Sequence, residues 1–262
     1  MEVGISFWRL MIAVGLATST AGFAYQPLVT DDTGTQGEGG NQLEFSLEKA
    51  RTEQSGRIAT ARILPVTFTR GLSDTLDVFT SVSHVNIGSD LPPGNASGMG
   101  NSVLGLKWRL YESQSGETSI ALKPQYLLPT SPAKEAAGLG SGRTSYALTA
   151  ILTQATAFGA VHANLYTART RYRDTTNNPD AMLYHASIAA VRQFGEAWKL
   201  GLDLGTKMVR TAGNSNRADY LETGLVYSPG KDCDLAVGLI RVVDNGGSKS
   251  STLTAGITWR FM

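Results

Sequence analysis

The feature that most constrains this fold is an alternation of apolar and polar residues that recurs in twelve short segments between Asn41 and Met262. In the last segment, every second residue is apolar: Leu253, Ala255, Ile257, Trp259 and Phe261. Because side chains on a strand alternate between its two faces, this series covers one surface. A closed barrel in lipid needs such an apolar outer face, and its lumen can be wet. The pattern predicts an all-β fold, a transmembrane antiparallel up-and-down β-barrel of about 12 strands.

The connections between segments are consistent with a barrel. We place the strands at 41–52, 58–70, 74–86, 101–112, 117–129, 143–155, 159–172, 181–193, 197–210, 217–228, 233–243 and 250–262. The even-numbered connections are tight, whereas the odd-numbered ones include the longer 88–100, 130–142 and 174–180. Outer-membrane barrels have short periplasmic turns and longer external loops. A soluble antiparallel sheet is the alternative, since its strands also alternate, but it need not show this alternation of loop length.

The first forty residues divide into two parts. Residues 1–24 have the form of a signal peptide, with Arg9 before an apolar run and the small residues Gly22 and Ala24 before a cleavage site. The alternative, a membrane anchor, would need a longer apolar run. Residues 25–40 are rich in Pro, Thr, Asp and Gly and have no periodicity, which predicts a periplasmic N-terminal segment. Residues 41–262 are then the barrel domain, exported to the bacterial outer membrane.

Composition narrows the class of partner. The net charge is +1, which gives no indication of a nucleic-acid partner. Cys233 is the single cysteine, so an internal disulfide framework is excluded and stability must come from closing the sheet. The expected partners are outer-membrane lipid, the barrel-assembly machinery and a small-molecule solute.

Charged residues on the predicted inner face are the candidates for a pore lining. They are Glu44, Glu48, Arg62, Asp77, Lys107, Arg109, Lys123, Lys199, Asp203, Lys207, Glu222 and Arg260. They would form either a polar constriction that selects solutes or a set of paired and solvated groups that fills the interior. Both signs are present, so strong anion or cation selection is not predicted. Twelve strands lie between filled eight-stranded barrels and open sixteen-stranded ones, which predicts a narrow or plugged pore.

The segment after the signal resembles a known family. Gln26-Pro27-Leu28-Val29-Thr30-Asp31-Asp32, followed by Gly37 to Glu44, is similar to the opening of the putative MetA-pathway of phenol degradation family. This chain has Gln26 where we expect an arginine before the proline, and it ends on Phe261-Met262, whereas many outer-membrane barrels end on the aromatic residue itself. The resemblance implies an outer-membrane transporter with a link to aromatic compounds. We therefore expect a channel for small, aromatic or other apolar, solutes.

Two further functions remain open at this stage. His185-x-Ser187 resembles the His-x-Ser of outer-membrane phospholipase A, a 12-stranded barrel, but the orienting asparagine is missing between Gly195 and Arg210. A nucleophilic serine needs a base that is itself oriented, so no catalytic residue is predicted. The other alternative is a structural barrel without transport.

Asp31 and Asp32 are the candidates for a calcium site, but they lack the spaced ligands of a calcium loop. No metal or cofactor is expected.

Overall fold

The chain forms one sheet that closes on itself. The computed structural model describes residues 26–90 and 94–262, and the predicted signal peptide lies outside them. The elements are β1 (Asn41–Gln54), β2 (Arg57–Ser73), β3 (Leu76–Ser89), β4 (Ala96–Met99), β5 (Val103–Glu112), β6 (Thr118–Leu127), α1 (Pro132–Ala136), β7 (Ser145–Thr156), β8 (Gly159–Thr170), β9 (Ala181–Phe194), β10 (Trp198–Thr211), β11 (Asn214–Gly230), β12 (Cys233–Asp244) and β13 (Lys249–Phe261). Within the described ranges, no helix is long and apolar enough to cross a membrane.

Antiparallel pairing of sequence neighbours continues around the whole circumference. β1 pairs with β2 on one side and with β13 on the other, in a register that runs from Asn41 opposite Phe261 to Glu53 opposite Lys249. Closure leaves no free sheet edge in lipid, where an unpaired backbone group would cost several kcal/mol (~2–7). The predicted antiparallel β-barrel is confirmed.

One barrel strand is interrupted, which the sequence did not predict. β4 pairs with the upper part of β3 and β5 with the lower part, so together they form the fourth of twelve strands. We had placed the start of this strand at residue 101. Asn101 lies in the break, where its side chain donates to the carbonyl oxygens of Leu128 and Ser141 and accepts from the amide of Ser141. These bonds tie the break to the long external loop between β6 and β7.

The outer face of the barrel is apolar. Leu106, Leu202 and Ile257 are 41%, 50% and 47% exposed, respectively, and on these strands the residues that alternate with them face inward. Ring pairs such as Trp198 with Tyr227, at 4.6 Å between centroids, lie near the periplasmic end, as expected for an interfacial girdle. Tyr166 lies instead in the barrel interior, beside the buried His185.

Neighbouring residues on β13 provide a test of this facing. Ile257→Arg places a charge in the lipid and is expected to lower the free energy of unfolding by about 2–4 kcal/mol. Thr258→Arg places the same charge among the inward-facing acids and is expected to cost far less, because Thr258 lines a polar cavity. Urea unfolding in lipid vesicles measures both values. Equal losses would contradict the assignment of the two faces.

Candidate functional site: a chain segment inside the lumen

The segment Gln26–Gly40, named here the lumenal segment, lies inside the barrel. Leu28 is 3% exposed and Thr30 is fully buried, which a free periplasmic segment would not allow. The prediction that residues 25–40 are periplasmic is therefore wrong for the described part, 26–40. The physical reason is that polar groups of this segment find partners on the inward faces of strands on all sides of the barrel.

Inward-facing glycines make room for the beginning of the segment. Gly201, Gly224, Gly238 and Gly256 lie on the four neighbouring strands β10 to β13, and Gly224 is opposite both Gly201 and Gly238. A Cβ atom built on Gly224 would lie 2.4 Å from Pro27, and one built on Gly201 would lie 2.7 Å from Leu28. The wall thus carries no side chain where the segment packs against it.

Carboxylates on β10 and β11 hold the next two residues. The amide of Val29 donates to Glu222 Oε2 at 2.7 Å, and the amide of Thr30 donates to Asp203 Oδ2 at 2.7 Å. The hydroxyl of Thr30 also donates to Asp203 Oδ1 at 2.9 Å, and its oxygen is within hydrogen-bond distance of Ser187 Oγ, at 2.7 Å. Hydrogen bonds to charged acceptors are the stronger kind. The two buried acids therefore have a structural task, which is to anchor the segment.

Asp31 forms the electrostatic centre of the segment. Its carboxylate accepts from Lys123 Nζ at 2.6 Å and from Lys107 Nζ at 3.0 Å, and Asp32 lies 3.3 Å from the same Lys107. All of these groups are largely buried. The acidic pair is thus engaged by lysines from β5 and β6. In the described ranges, no group of three or more metal-ligating side chains is found.

The rest of the segment returns to the periplasmic rim. The amide of Thr33 donates to Thr153 Oγ1 at 3.1 Å on β7, and the amide of Gln36 donates to Asp77 at 3.1 Å on β3. Backbone bonds between Gly39 and Gly71, 3.1 Å, and from Gly71 to Gly40, 2.8 Å, then join it to β2. The segment begins at Gln26, which contacts β1 and β13, and from there to Gly40 it follows nearly a full circuit of the inner wall.

The predicted lumen-lining residues fall on the inward face with one exception. Buried or half-buried inward positions are held by Glu44, Glu48, Asp77, Lys107, Arg109, Lys123, Lys199, Asp203, Lys207, Glu222 and Arg260. Arg62 instead is exposed on the outer face of β2, so its placement in the lumen is wrong. Here the inner face is apolar, because Ile63 packs with Val85, Ile87 and Leu139. The polarity of the two faces is thus reversed at the extracellular end.

The space left between the lumenal segment and the periplasmic half of the wall is a polar cavity. Its volume is about 320 Å³. Five acids and three bases line it, together with the ring of Phe79: Asp31, Asp32, Glu44, Asp77, Asp234, Lys107, Lys123 and Arg260. The ammonium group of Lys123 lies 5.1 Å from the centre of the Phe79 ring. The cavity thus presents hydrogen-bonding groups of both signs beside one aromatic face.

The long external loop covers the opposite end of the lumen. Leu139 is buried against Ile63, Val85 and Ile87, which are inward-facing residues of β2 and β3. Glu135 of α1 is also buried, and its carboxylate accepts from the amides of Arg173 and Asp174 in the next loop. Two loops are thus fixed to each other over the barrel mouth.

His185 and Ser187 both lie on the inner face of β9. His185 Nε2 is 3.2 Å from the hydroxyl of Tyr220, and Ser187 Oγ is 2.7 Å from the hydroxyl of Thr30. Tyr220 in turn donates to Asp203 at 3.0 Å. Lipid therefore has no direct access to Ser187, which is 9% exposed and covered by the lumenal segment.

Comparisons with known proteins agree with this architecture. The family described as putative MetA-pathway of phenol degradation matches residues 24–261. An outer membrane channel from Pseudomonas putida F1 is similar in structure, with a TM-score of 0.74 and 14% identity over 88% of this chain and 98% of that one. The translocator domain of the autotransporter NalP from Neisseria meningitidis has a TM-score of 0.57 and 8% identity over the whole of both chains. The NanC porin has a TM-score of 0.52 and 9% identity over 82% of this chain and 98% of its own. No curated protein matches the sequence.

Proposed function

The chain belongs to the putative MetA-pathway of phenol degradation family, and from that premise we propose that it is a passive outer-membrane channel for small aromatic solutes. The observation that carries the proposal is the mixed polar and aromatic cavity beside the lumenal segment. The family's description points to phenol chemistry, and a phenol combines one ring with one hydrogen-bonding group.

The size and chemistry of the cavity support a single-ring solute. Small-molecule pockets have volumes of about 300–1,000 Å³, and this cavity is at the lower end of that range. Phe79 contributes an aromatic ring to the lining. Lys123 can donate to a hydroxyl or carboxylate group, and Asp77 can accept from a hydroxyl. Bulky solutes would be excluded by the lumenal segment. Charges of both signs give no strong preference for one ion class.

Uptake into vesicles that contain the purified protein tests the proposal. Phenol and benzoate are expected to enter several-fold faster than into protein-free vesicles, whereas disaccharides of larger cross-section enter slowly. A protein of equal size without a pore, reconstituted at the same density, controls for leakage. Uptake at the protein-free rate for every solute would remove the channel proposal and favour a structural barrel.

The external loop is a second constriction in this proposal. Deletion of residues 132–140 removes α1 and Leu139, and with them the apolar cover on β2 and β3. Conductance in planar bilayers is expected to rise, with the strands intact by circular dichroism. Leu139→Asp is the matched point variant, because a buried charge should detach the loop without shortening it. Unchanged conductance in both variants would show that this loop does not limit flow.

Under this proposal the protein is not an enzyme. The inward position of His185 and Ser187 and the hydrogen-bond contact between Ser187 and Thr30 of the lumenal segment support this view. Ser187→Ala is expected to leave lipid hydrolysis by the purified protein at background level, as in the wild type. If the wild type hydrolyses lipid and Ser187→Ala does not, the phospholipase-like alternative would be favoured instead.

The barrel-assembly machinery remains a predicted partner.

A further inference from the structure

A cluster of cations lies on the outer face of the barrel near its extracellular end. It consists of Lys49 and Arg51 on β1, Arg62 on β2 and Arg241 on β12, and all four are exposed. We refer to these four residues as the outer cationic patch. Cations on the lipid side of a barrel are costly at mid-membrane but nearly neutral at the interface. Their position along the strands therefore decides what they face.

Three of the four residues lie next to an apolar series on the same face, on its extracellular side. On β1, Lys49 follows Phe45 and Leu47, and on β2, Arg62 is next to the outward Leu64. On β12, Arg241 follows Leu239. The patch thus begins where the apolar band ends, at the depth of the outer-leaflet headgroups.

The strand register brings the four side chains together. Lys49 is directly opposite Arg62, and both Arg51 and Arg241 are opposite Ser251 of β13, which lies between them. Adjacent strands are about 4.8 Å apart, so Arg51 and Arg241 are separated by about 10 Å, within reach of one shared group. Arg241 also donates to the hydroxyl of Ser251, which adds a neutral donor to the patch.

The cations of the patch form no salt bridge in the described part of the chain, and one exposed acid, Glu53, lies two residues beyond Arg51 on the same face of β1. By contrast, the outward-facing Arg217 on β11 pairs with Asp219 at 3.0 Å. Four cations against one acid at headgroup depth leave a net positive charge, which is the composition of a binding site for anionic headgroups.

We propose that the outer cationic patch binds the phosphate groups of the phosphorylated glycolipid in the outer leaflet. Arginine binds phosphate through paired N–H donors, and a lysine adds a point charge. A lipid with phosphates on a sugar headgroup matches a patch that is two residues deep and four strands wide. The site is separate from the lumen, so the lipid-binding proposal does not depend on the proposed channel function.

Native mass spectrometry of the detergent-solubilised barrel, with added bisphosphorylated lipid A, tests the proposal. The fourfold variant Lys49→Gln, Arg51→Gln, Arg62→Gln, Arg241→Gln is expected to bind at least about tenfold more weakly than the wild type, because the charge-assisted hydrogen bonds to phosphate are lost. Arg169→Gln with Arg192→Gln is the control for loss of charge elsewhere, because both cations are exposed on the outer face away from the patch. The control is expected to bind like the wild type.

Dephosphorylated lipid A and phosphatidylglycerol separate the source of the charge. We expect the wild type to prefer bisphosphorylated lipid A over both. Equal binding of phosphatidylglycerol would overturn the commitment to the glycolipid, and equal binding by the fourfold variant would overturn the site. Heat-modifiable migration in gels checks that every variant is a folded barrel, and Arg62→Lys, which keeps the charge, is expected to retain most of the binding.

Discussion

A variant without residues 26–34 is expected to show a several-fold higher single-channel conductance than the wild type. The deleted residues include the part of the lumenal segment that crosses β9 to β13 and reaches β5 and β6. Their removal would leave an unfilled lumen lined by the inward glycines of four neighbouring strands. Planar bilayer recordings at fixed salt measure the change.

The control for this deletion is a substitution that keeps the segment in place. Glu38→Ala changes an exposed residue at the periplasmic rim, and its conductance should match that of the wild type. Circular dichroism should show equal strand content in all three proteins, because the strand ladder does not include residues 26–34. A deletion variant that folds but conducts like the wild type would show that the lumenal segment does not limit flow.

Asp31→Ala is expected to have the largest effect of any single substitution in the segment. It removes the acceptor for Lys123 at 2.6 Å and one of two acceptors for Lys107. Breaking a buried ion pair from one side costs about 3–5 kcal/mol. Because the segment can leave the lumen while the barrel stays closed, we expect this loss of free energy to release the lumenal segment from the inner wall. Conductance should approach that of the deletion variant, and a cysteine at position 26 should become reactive to a bulky polar maleimide.

A charge-matched double variant distinguishes this cause from a general defect. Asp31→Ala combined with Lys123→Met removes both partners of the 2.6 Å contact, and replacing a buried pair by apolar groups is often close to neutral. The double variant should therefore recover part of the low conductance and of the protection of position 26. Equal labelling of wild type, single variant and double variant would contradict the anchoring role of Asp31.

Strand positions could be predicted from this sequence because their signal is local. A period of two residues identifies each strand, and closure follows from an apolar outer face in lipid. The alternation could not show where the outer leaflet ends, so Arg62 was placed on the wrong side. Above the lipid the outer face becomes polar, and the inner face at Ile63 becomes apolar where Leu139 packs.

The lumenal segment could not be predicted because its partners are distant in sequence. Thr30 contacts Asp203 and Ser187, more than one hundred and fifty residues away, and no periodicity in residues 25–40 indicates this. One signal was present, however. Gly201, Gly224 and Gly238 lie at inward positions of successive strands, and a wall without side chains implies that something else occupies the space. The buried inward acids Asp203 and Glu222 have the same explanation, since both accept hydrogen bonds from the segment.

Phenol uptake by a variant with a filled cavity tests the proposed path most directly. Thr258 is buried and lines the cavity, so Thr258→Trp should obstruct it. Thr223→Trp adds the same ring on the lipid face of β11 and serves as the control. The account predicts that vesicles with Thr258→Trp lose most of the protein-dependent phenol uptake, while vesicles with Thr223→Trp keep it. Undiminished uptake with folded Thr258→Trp protein would contradict passage through this cavity.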